Sequence, residues 1–264
     1  MNSKRRDELE HRVLSGDTDA IRRYTTEVRA YDEFADPQVL ALLLKALENA
    51  HGLGSRTIIL NLPVVPEIEN ALVKVLESGY DYIDSLDGPI HIDAIRKLAE
   101  LRTPTALEAI RRWVIGILPT GEANSIYAAA GLLLFAAAGD ITDLPFIRNC
   151  LENRDIFIRS AAIQAVGMKQ DRESVPKLIA LLSDKSQDPR FLGGFICDSA
   201  AIALGQIGDV RAVEPIATMI EHRETSPYVD SVVYALTKLD QPGFDALRAM
   251  LDRVEDDLKQ KIVY

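Results

Sequence analysis

The amino-acid sequence predicts an all-α fold, a right-handed α-solenoid of about six helix pairs. An apolar pattern at positions a, a+3, a+6 and a+7 recurs five times, at intervals of 37, 31, 38 and 31 residues, with its first positions at Leu107, Leu144, Val175, Val213 and Phe244. Such spacing places four apolar side chains on one face of a helix. A helix that recurs with the same apolar face buries it against the next copy. Aromatic residues are only 6% of the chain, which suits closely packed helices.

The N-terminal third is less regular than the rest. We expect residues 1–30 to form two short capping helices and residues 31–86 to form irregular repeats. Asp36-Pro37 marks the start of an apolar helix that runs to about Asn49. Regular repeats are expected over residues 87–257, followed by a tail at 258–264. The whole chain, 1–264, is predicted to be a single repeat domain.

Each regular repeat is predicted to contain two helices joined by a turn with aspartate. The first helix is rich in small residues, as at 128–130, 161–162 and 200–201. The aspartates of the turns are Asp140, Asp171, Asp209 and Asp240. Aspartate accepts hydrogen bonds from the free N–H groups where a helix starts. The prolines that follow, Pro145, Pro176 and Pro215, fit the first turn of the second helix, where a missing N–H is tolerated.

These turns carry a family resemblance. Residues 200–216, with Gly208-Asp209 and Pro215, resemble the HEAT-like repeat of the phycobilisome-lyase type. Residues 159–167 and 174–179 resemble it too, and the similarity is strongest over residues 121–257. The resemblance implies HEAT-like helix pairs whose second helices line a concave surface. It says little about function, because unrelated binding proteins and some enzymes share the fold.

Composition restricts the class of partner. The formal net charge is −10, whereas nucleic-acid binders usually present a basic face. The two cysteines cannot form a disulfide framework, and residues 1–10 lack the apolar core of a signal peptide, so we expect a cytoplasmic protein. The apolar run from Tyr127 to Gly139 is too short to cross a bilayer. We therefore predict no nucleic-acid partner and no membrane insertion.

No motif indicates catalysis or a cofactor. The four histidines, His11, His51, His91 and His222, have unrelated contexts, although the first three are 40 residues apart. Zinc-binding spacings and glycine-rich phosphate loops are absent from the sequence. Trp113 occupies an apolar position and is predicted to lie in the core. We expect a non-catalytic protein with neither a metal ion nor a cofactor.

A candidate binding face follows from the helical pattern, since positions a+1, a+5 and a+8 point away from the buried positions. The partner-binding residues predicted on this face are Glu108, Arg112, Asn149, Glu152, Ala180, Glu214, Thr218, Glu221, Ala249 and Asp252. Tyr80 and Tyr82, in a loop before residue 89, are further candidates. Acidic residues outnumber basic residues at positions a+1, a+5 and a+8 of the five copies, so the face is predicted to be acidic.

The sequence thus predicts a protein-interaction scaffold or adaptor that binds another protein, with a basic or mixed-charge surface, along the acidic concave face. The alternative comes from the family resemblance and is a subunit of an E/F-type phycobilin lyase or another phycobilisome-handling protein. Such lyases hold an open-chain tetrapyrrole, a bilin, and pass it to a cysteine of a phycobiliprotein. Under this alternative Tyr80, Tyr82 and Arg112 are candidates to contact the bilin.

Overall fold

The protein is built from α-helices, as the apolar periodicity predicts. The computed structural model describes residues 3–34, 36–77, 90–117, 122–188, 194–221 and 229–251. Within these ranges the helices are joined by short turns, and the only extended pairing is an isolated bridge between Gln187 and Phe195. The prediction of an all-α, HEAT-like repeat fold is therefore confirmed.

The chain divides into two compact units, Met1–Pro119 and Thr120–Tyr264, which are described separately. The helices of the first unit are α1 (Ser3–Leu14), α2 (Thr18–Ala30), α3 (Pro37–Leu47), α4 (Leu53–Asn61), α5 (Glu69–Glu77), α6 (Ile90–Leu101) and α7 (Pro104–Ile117). The helices of the second unit are α8 (Glu122–Ala138), α9 (Leu144–Cys150), α10 (Ile156–Met168), α11 (Val175–Leu181), α12 (Ile196–Ile207), α13 (Val213–Glu221), α14 (Val229–Thr237) and α15 (Asp240–Leu251). That residues 1–264 form one repeat domain stays a prediction.

Each unit has two layers of helices. The even-numbered helices, here called first helices, pack in sequence as α2, α4 and α6 in one unit and as α8, α10, α12 and α14 in the other. The odd-numbered second helices α9, α11 and α13 each pack on the first helix that follows in the chain. Successive copies therefore bury the apolar faces of their neighbours, as a repeat array requires.

The buried positions agree with the helical register derived from the sequence. Ile110, Leu178 and Ile216 are fully buried, and Trp113 is 3% exposed, so its predicted place in the core is confirmed. Phe244 departs from the pattern, because 52% of its surface is exposed. It begins the last occurrence of the pattern, on α15, where no later described repeat packs against it.

Small residues let the first helices of the second unit approach closely. A Cβ atom added at Gly205 of α12 would lie 2.7 Å from the Cα of Ala235 in α14. One added at Gly167 of α10 would lie 3.0 Å from the Cα of Ala203 in α12. The absence of side chains at these glycines therefore sets the spacing of the layer.

Two of the turn aspartates, Asp171 and Asp209, accept hydrogen bonds from backbone N–H groups. These N–H groups do not belong to the second helix itself, as expected, but to a short turn just before it. Asp171 accepts a hydrogen bond from the N–H of Glu173, and Asp209 accepts one from the N–H of Arg211. Both N–H groups belong to a short 3-10 turn, over residues 172–174 and 210–212, that precedes the second α-helix. The sequence pattern did not reveal this turn because it continues directly into the helix.

Side chains of later repeats reach back to backbone carbonyls of earlier repeats. In the first unit, Asn49 donates to the carbonyl of Leu14 over 2.9 Å, and Lys97 donates to that of Leu62 over 2.6 Å. In the second unit, Lys169 donates to the carbonyl of Gly139 over 2.7 Å. Leu14, Leu62 and Gly139 stand at or just after the ends of α1, α4 and α8, where carbonyls lack helical partners.

The described part of the 185–194 insertion is anchored to the first-helix layer. The backbone N–H of Asp188 donates to the carbonyl of Gly194, and its buried carboxylate accepts hydrogen bonds from the hydroxyls of Ser160 and Ser199. These bonds attach the insertion to α10 and α12. Every helix within the described ranges is too short or too polar to span a lipid bilayer.

Candidate functional site

The second helices of the second unit expose the residues predicted to bind a partner. Asn149 on α9, Ala180 on α11 and Glu214 on α13 are exposed, whereas Thr218 on α13 and Ala249 on α15 are half-buried. Glu152, directly after α9, is exposed as well. Together with Pro145 and Pro176 these residues form what we call the second-helix face. It combines small and polar side chains on neighbouring helices.

The charge of this face is more mixed than the acidic residues at positions a+1, a+5 and a+8 predict. The carboxylate of Glu152 lies 2.8 Å from the Nζ atom of Lys177 on α11. Lys177 occupies position a+2, which is not one of the three positions that predict this face. Glu214 has no ion-pair partner among the described residues, so it supplies the uncompensated negative charge of the face.

In the first unit, Glu108 and Arg112 belong to an ion network on the surface of α7. Glu108 lies 3.6 Å from Arg111, and Arg112 lies 3.6 Å from Glu77 of α5. The side chains of Glu108, Arg112 and Glu77 are more than half exposed. Exposed ion pairs of this kind contribute little to stability, so the network leaves these side chains available to a partner.

Four of the predicted residues are not described. Tyr80, Tyr82 and Asp252 lie outside the described ranges. Glu221 is the last residue of α13, but its side chain lies outside the described part of the structure. The role of all four in binding stays a prediction.

Arg148 connects two repeats beside the second-helix face. Its guanidinium contacts both carboxylate oxygens of Asp171 at 2.6 Å and also contacts Glu173. Burial raises the pKa of Asp171, but hydrogen bonds from Arg148 and Ser174 outweigh this effect and hold that pKa below its usual value. The pair is therefore ionised at neutral pH and fixes α9 against the turn of the next repeat.

A cavity of about 780 Å³ in the first unit was not predicted from the sequence. Leu44 and Leu47 of α3 line one side, and Ala71 and Val75 of α5 line the other. His91, at the start of α6, also lines it. A cavity of this volume falls in the range of small-molecule sites. No sequence signal could have located it, because the lining residues come from separate helices and share no motif.

His91 is held in a defined orientation at this cavity. Its ring stacks on Trp113 of α7, with 5.8 Å between ring centroids. Burial lowers the pKa of His91, and a backbone hydrogen bond with Val75 only partly opposes that shift. The Nε2 atom is buried and has no hydrogen-bond partner among the described residues.

The two cysteines are poorly suited to nucleophilic chemistry. Cys150 and Cys197 are both buried, and no disulfide bond joins them. Burial raises the pKa of the Cys150 thiol to about 11, which leaves almost no thiolate at neutral pH. Among the described residues, no group of three or more His, Cys, Asp and Glu side chains is placed to hold a metal ion.

Comparison with known proteins agrees with the repeat boundaries. The family profile of the PBS lyase HEAT-like repeat matches residues 158–184 and 196–222. The first match contains most of α10 and all of α11, and the second contains α12 and α13, so each match is one helix pair. Two consecutive helix pairs of the chain are thus similar to the HEAT-like repeat of the phycobilisome-lyase type.

A curated relative supports the same resemblance over part of the chain. The bilin biosynthesis protein PecE of a Nostoc species is 34% identical over 82 residues. The match covers 31% of this chain and 30% of that protein. The chain therefore matches less than a third of its relative.

Proposed function

We propose that this chain is a non-catalytic protein-interaction scaffold whose second-helix face binds a partner with a basic or mixed-charge surface. The observation that supports this most is the exposed Ala180 on α11, together with the half-buried Thr218 and the exposed Glu214 on α13, another second helix of the same unit. Solubility alone favours long charged side chains at exposed helix positions. Small side chains instead leave room for the side chains of a partner.

The charges of the face suit a mixed partner surface. Glu214 is unpaired among the described residues, while Glu152 and Lys177 neutralise each other across neighbouring helices. An unpaired carboxylate attracts a basic group and orients it during encounter. The paired charges offer both a donor and an acceptor, so the partner needs one basic group rather than a uniformly basic surface.

Two substitutions test this proposal. We expect Glu214→Lys to slow association severalfold, because it reverses the unpaired charge. We expect Ala180→Arg to weaken binding at least about tenfold, because a long charged side chain at this exposed position would occupy the room that the small alanine leaves for a partner. Partners are first captured from the native host with the wild-type chain, and surface plasmon resonance then gives the rate constants for each variant.

Matched controls carry the same changes on other helices. Glu100→Lys alters an exposed residue of α6, and Ala137→Arg alters an exposed residue of α8, both first helices. Neither control should change the rate constants. If the captured partner binds Glu214→Lys and Ala180→Arg as it binds the wild type, the second-helix face is not the interface.

The matches to PBS lyase HEAT-like repeats and to PecE favour a second candidate, a subunit of an E/F-type phycobilin lyase or another phycobilisome-handling protein. Both cysteines of this chain are buried, so neither is placed to carry a covalently attached bilin. Under this candidate the chain holds the bilin without a covalent bond, and the cysteine that receives it belongs to the partner.

Mixing the purified chain with a free bilin tests this candidate. A non-covalent complex is expected to shift and sharpen the visible absorbance of the bilin, because binding restricts its conformations. The complex should lose its colour on denaturation in acidic urea followed by gel filtration, since no thioether bond forms. An unchanged bilin spectrum at saturating protein would rule out a bilin-holding role for this chain by itself.

A further inference from the structure

His91 connects three helices of the first unit. It is the second residue of α6, and its ring stacks on Trp113 of α7. The backbone hydrogen bond with Val75 of α5 favours the protonated imidazole, so the ring donates it to the carbonyl of Val75. Because Nε2 has no partner among the described residues, the donating nitrogen is Nδ1. A single imidazole therefore joins α5, α6 and α7.

The closed packing of these helices accommodates only the neutral form of His91. Its Nε2 atom is buried, so a proton there would create a charged N–H group without an acceptor in a place that water does not reach. His91 also lies in the first turn of α6, where the positive end of the helix dipole disfavours a cation. Protonation of this ring and close contact of α5, α6 and α7 therefore oppose each other.

Within the described part of the first unit, no neighbouring charge offsets this effect. The helices that His91 contacts, α5 and α7, carry Glu69, Lys74, Glu77, Glu108, Arg111 and Arg112. The cavity that His91 lines adds Lys45, Glu48, His51 and Glu67. Asp93 on α6 is buried and engaged in ion pairs with Arg56 at 2.9 Å and with Arg96 at 3.2 Å. The pKa of His91 is shifted by burial and by the Val75 bond alone, so none of these groups stabilises its charged form.

We propose that His91 is an acid-sensitive contact of the first unit, and that uptake of a proton at its Nε2 atom accompanies a local opening in which α5 separates from α6 and α7. The contact lies in the first unit, whereas the second-helix face belongs to the other unit. The proposal can therefore fail while the proposed protein-interaction function holds, and the reverse is also true.

The pH range of the opening follows from the two forms of the unit. In the open form the imidazole is hydrated and has its ordinary pKa of about 6.5, whereas burial lowers that pKa in the closed form. Above about pH 6.5 both forms are neutral, so the equilibrium does not depend on this group. Below that pH only the open form takes up the proton, and opening becomes up to about tenfold more favourable per pH unit. The change ends where the lower pKa of the closed form is reached.

Amide hydrogen exchange measures this opening without any substitution. Dividing each exchange rate by the intrinsic rate at the same pH gives the opening equilibrium of that helix. For α6 and α7 we expect a constant value above about pH 6.5 and a rise of roughly tenfold between about pH 6 and pH 5. Helix α12, in the other unit, is the internal reference and should not change. No rise in α6 and α7, or an equal rise in α12, would overturn the proposal.

His91→Phe separates protonation from packing. Phenylalanine keeps an aromatic ring beside Trp113 but cannot take up a proton. Loss of the bond to Val75 raises the opening equilibrium of this variant at every pH, but we expect its dependence on pH to disappear. A purely structural role would change the level and leave the dependence on pH as in the wild type, and this result would contradict the proposal.

A variant with the other three histidines replaced by glutamine, His11→Gln, His51→Gln and His222→Gln, is the matched control. It leaves His91 as the only imidazole of the chain and should keep the full rise between about pH 6 and pH 5. The same variant keeps the test decisive if His91→Phe does not fold. Loss of the rise in this control would assign the effect to another histidine and refute the proposal.

The imidazole ¹⁵N resonances of this control variant belong to His91 alone, so they report its protonation directly. At about pH 7 we expect Nδ1 to carry the proton and Nε2 to be unprotonated. The ring should remain neutral in the closed form at about pH 6, where a hydrated imidazole is mostly charged. A charged His91 at that pH in a unit whose amides remain protected would show that the closed packing tolerates the cation, and would overturn the proposal.

Discussion

Leu178→Asp and Ile216→Asp are each expected to lower the free energy of unfolding by roughly 3–5 kcal/mol, since each removes a buried aliphatic side chain and leaves an unpaired carboxylate. Both native side chains have no exposed surface. Urea unfolding followed by circular dichroism measures the change. Ala180→Asp, at an exposed position of the same helix as Leu178, is the control and should cost no more than about 1 kcal/mol, through helix propensity and the helix dipole alone. Equal effects of Leu178→Asp and Ala180→Asp would refute the helical register of α11.

The damage should extend beyond the substituted helix, because neighbouring repeats bury each other's apolar faces. Leu178 lies on α11, which packs on α12. Amide hydrogen exchange should therefore show faster exchange in both α11 and α12 of Leu178→Asp. Helices α1 and α2, in the other unit, serve as the internal reference. Faster exchange confined to α11 would mean that the repeats are energetically independent.

The second large effect is expected from Gly205→Ala, with a loss of roughly 1–3 kcal/mol through overpacking. The sign of the change in unfolding free energy is informative, because replacing glycine by alanine in a helix interior normally stabilises a protein by roughly 0.5–1 kcal/mol. The added Cβ atom would lie 2.7 Å from the Cα and 3.0 Å from the carbonyl oxygen of Ala235. Backbone atoms cannot turn aside as a side chain can, so α12 and α14 would have to separate.

Gly54→Ala is the matched control, since Gly54 is also helical. Its added Cβ atom would meet only side-chain atoms, 3.2 Å from the Oγ1 of Thr18 and 3.3 Å from the Cδ1 of Ile21. These atoms can shift, so the loss should be clearly smaller than at Gly205. Urea unfolding of the two variants gives the comparison. A gain of stability in Gly205→Ala would show that α12 and α14 are not in the close contact described above.

The sequence predicted the regular repeats because burial there follows the helical period. Ile110, Leu178 and Ile216 are buried where the pattern places them. Phe244 is exposed although it fits the same pattern, because burial of a repeat residue depends on a neighbouring copy as well as on its own helix. Periodicity therefore predicts which face of a helix is apolar, but not whether another helix covers it.

The candidate sites were less predictable than the fold. The helical period of single helices predicts that Glu152 and Glu214 are exposed. The pairing of Glu152 with Lys177, in contrast, depends on the distance between two helices. In the sequence His91 stands out only by its spacing of 40 residues from His51, which predicts no site. Its contact with Trp113 and its place at the cavity arise from the packing of α6 on α7, which one helix period cannot show.

The side chains that reach back to earlier carbonyls give the array a direction of assembly. Asn49, Lys97 and Lys169 each complete the hydrogen bonding of a helix end that was synthesised 35, 35 and 30 residues before them, respectively. During translation each of these helix-end carbonyls therefore lacks its side-chain hydrogen bond until the following repeat has left the ribosome. A nascent array would be least stable at its growing end, and a fragment shortened at its C terminus would lose a cap that an N-terminal deletion would spare.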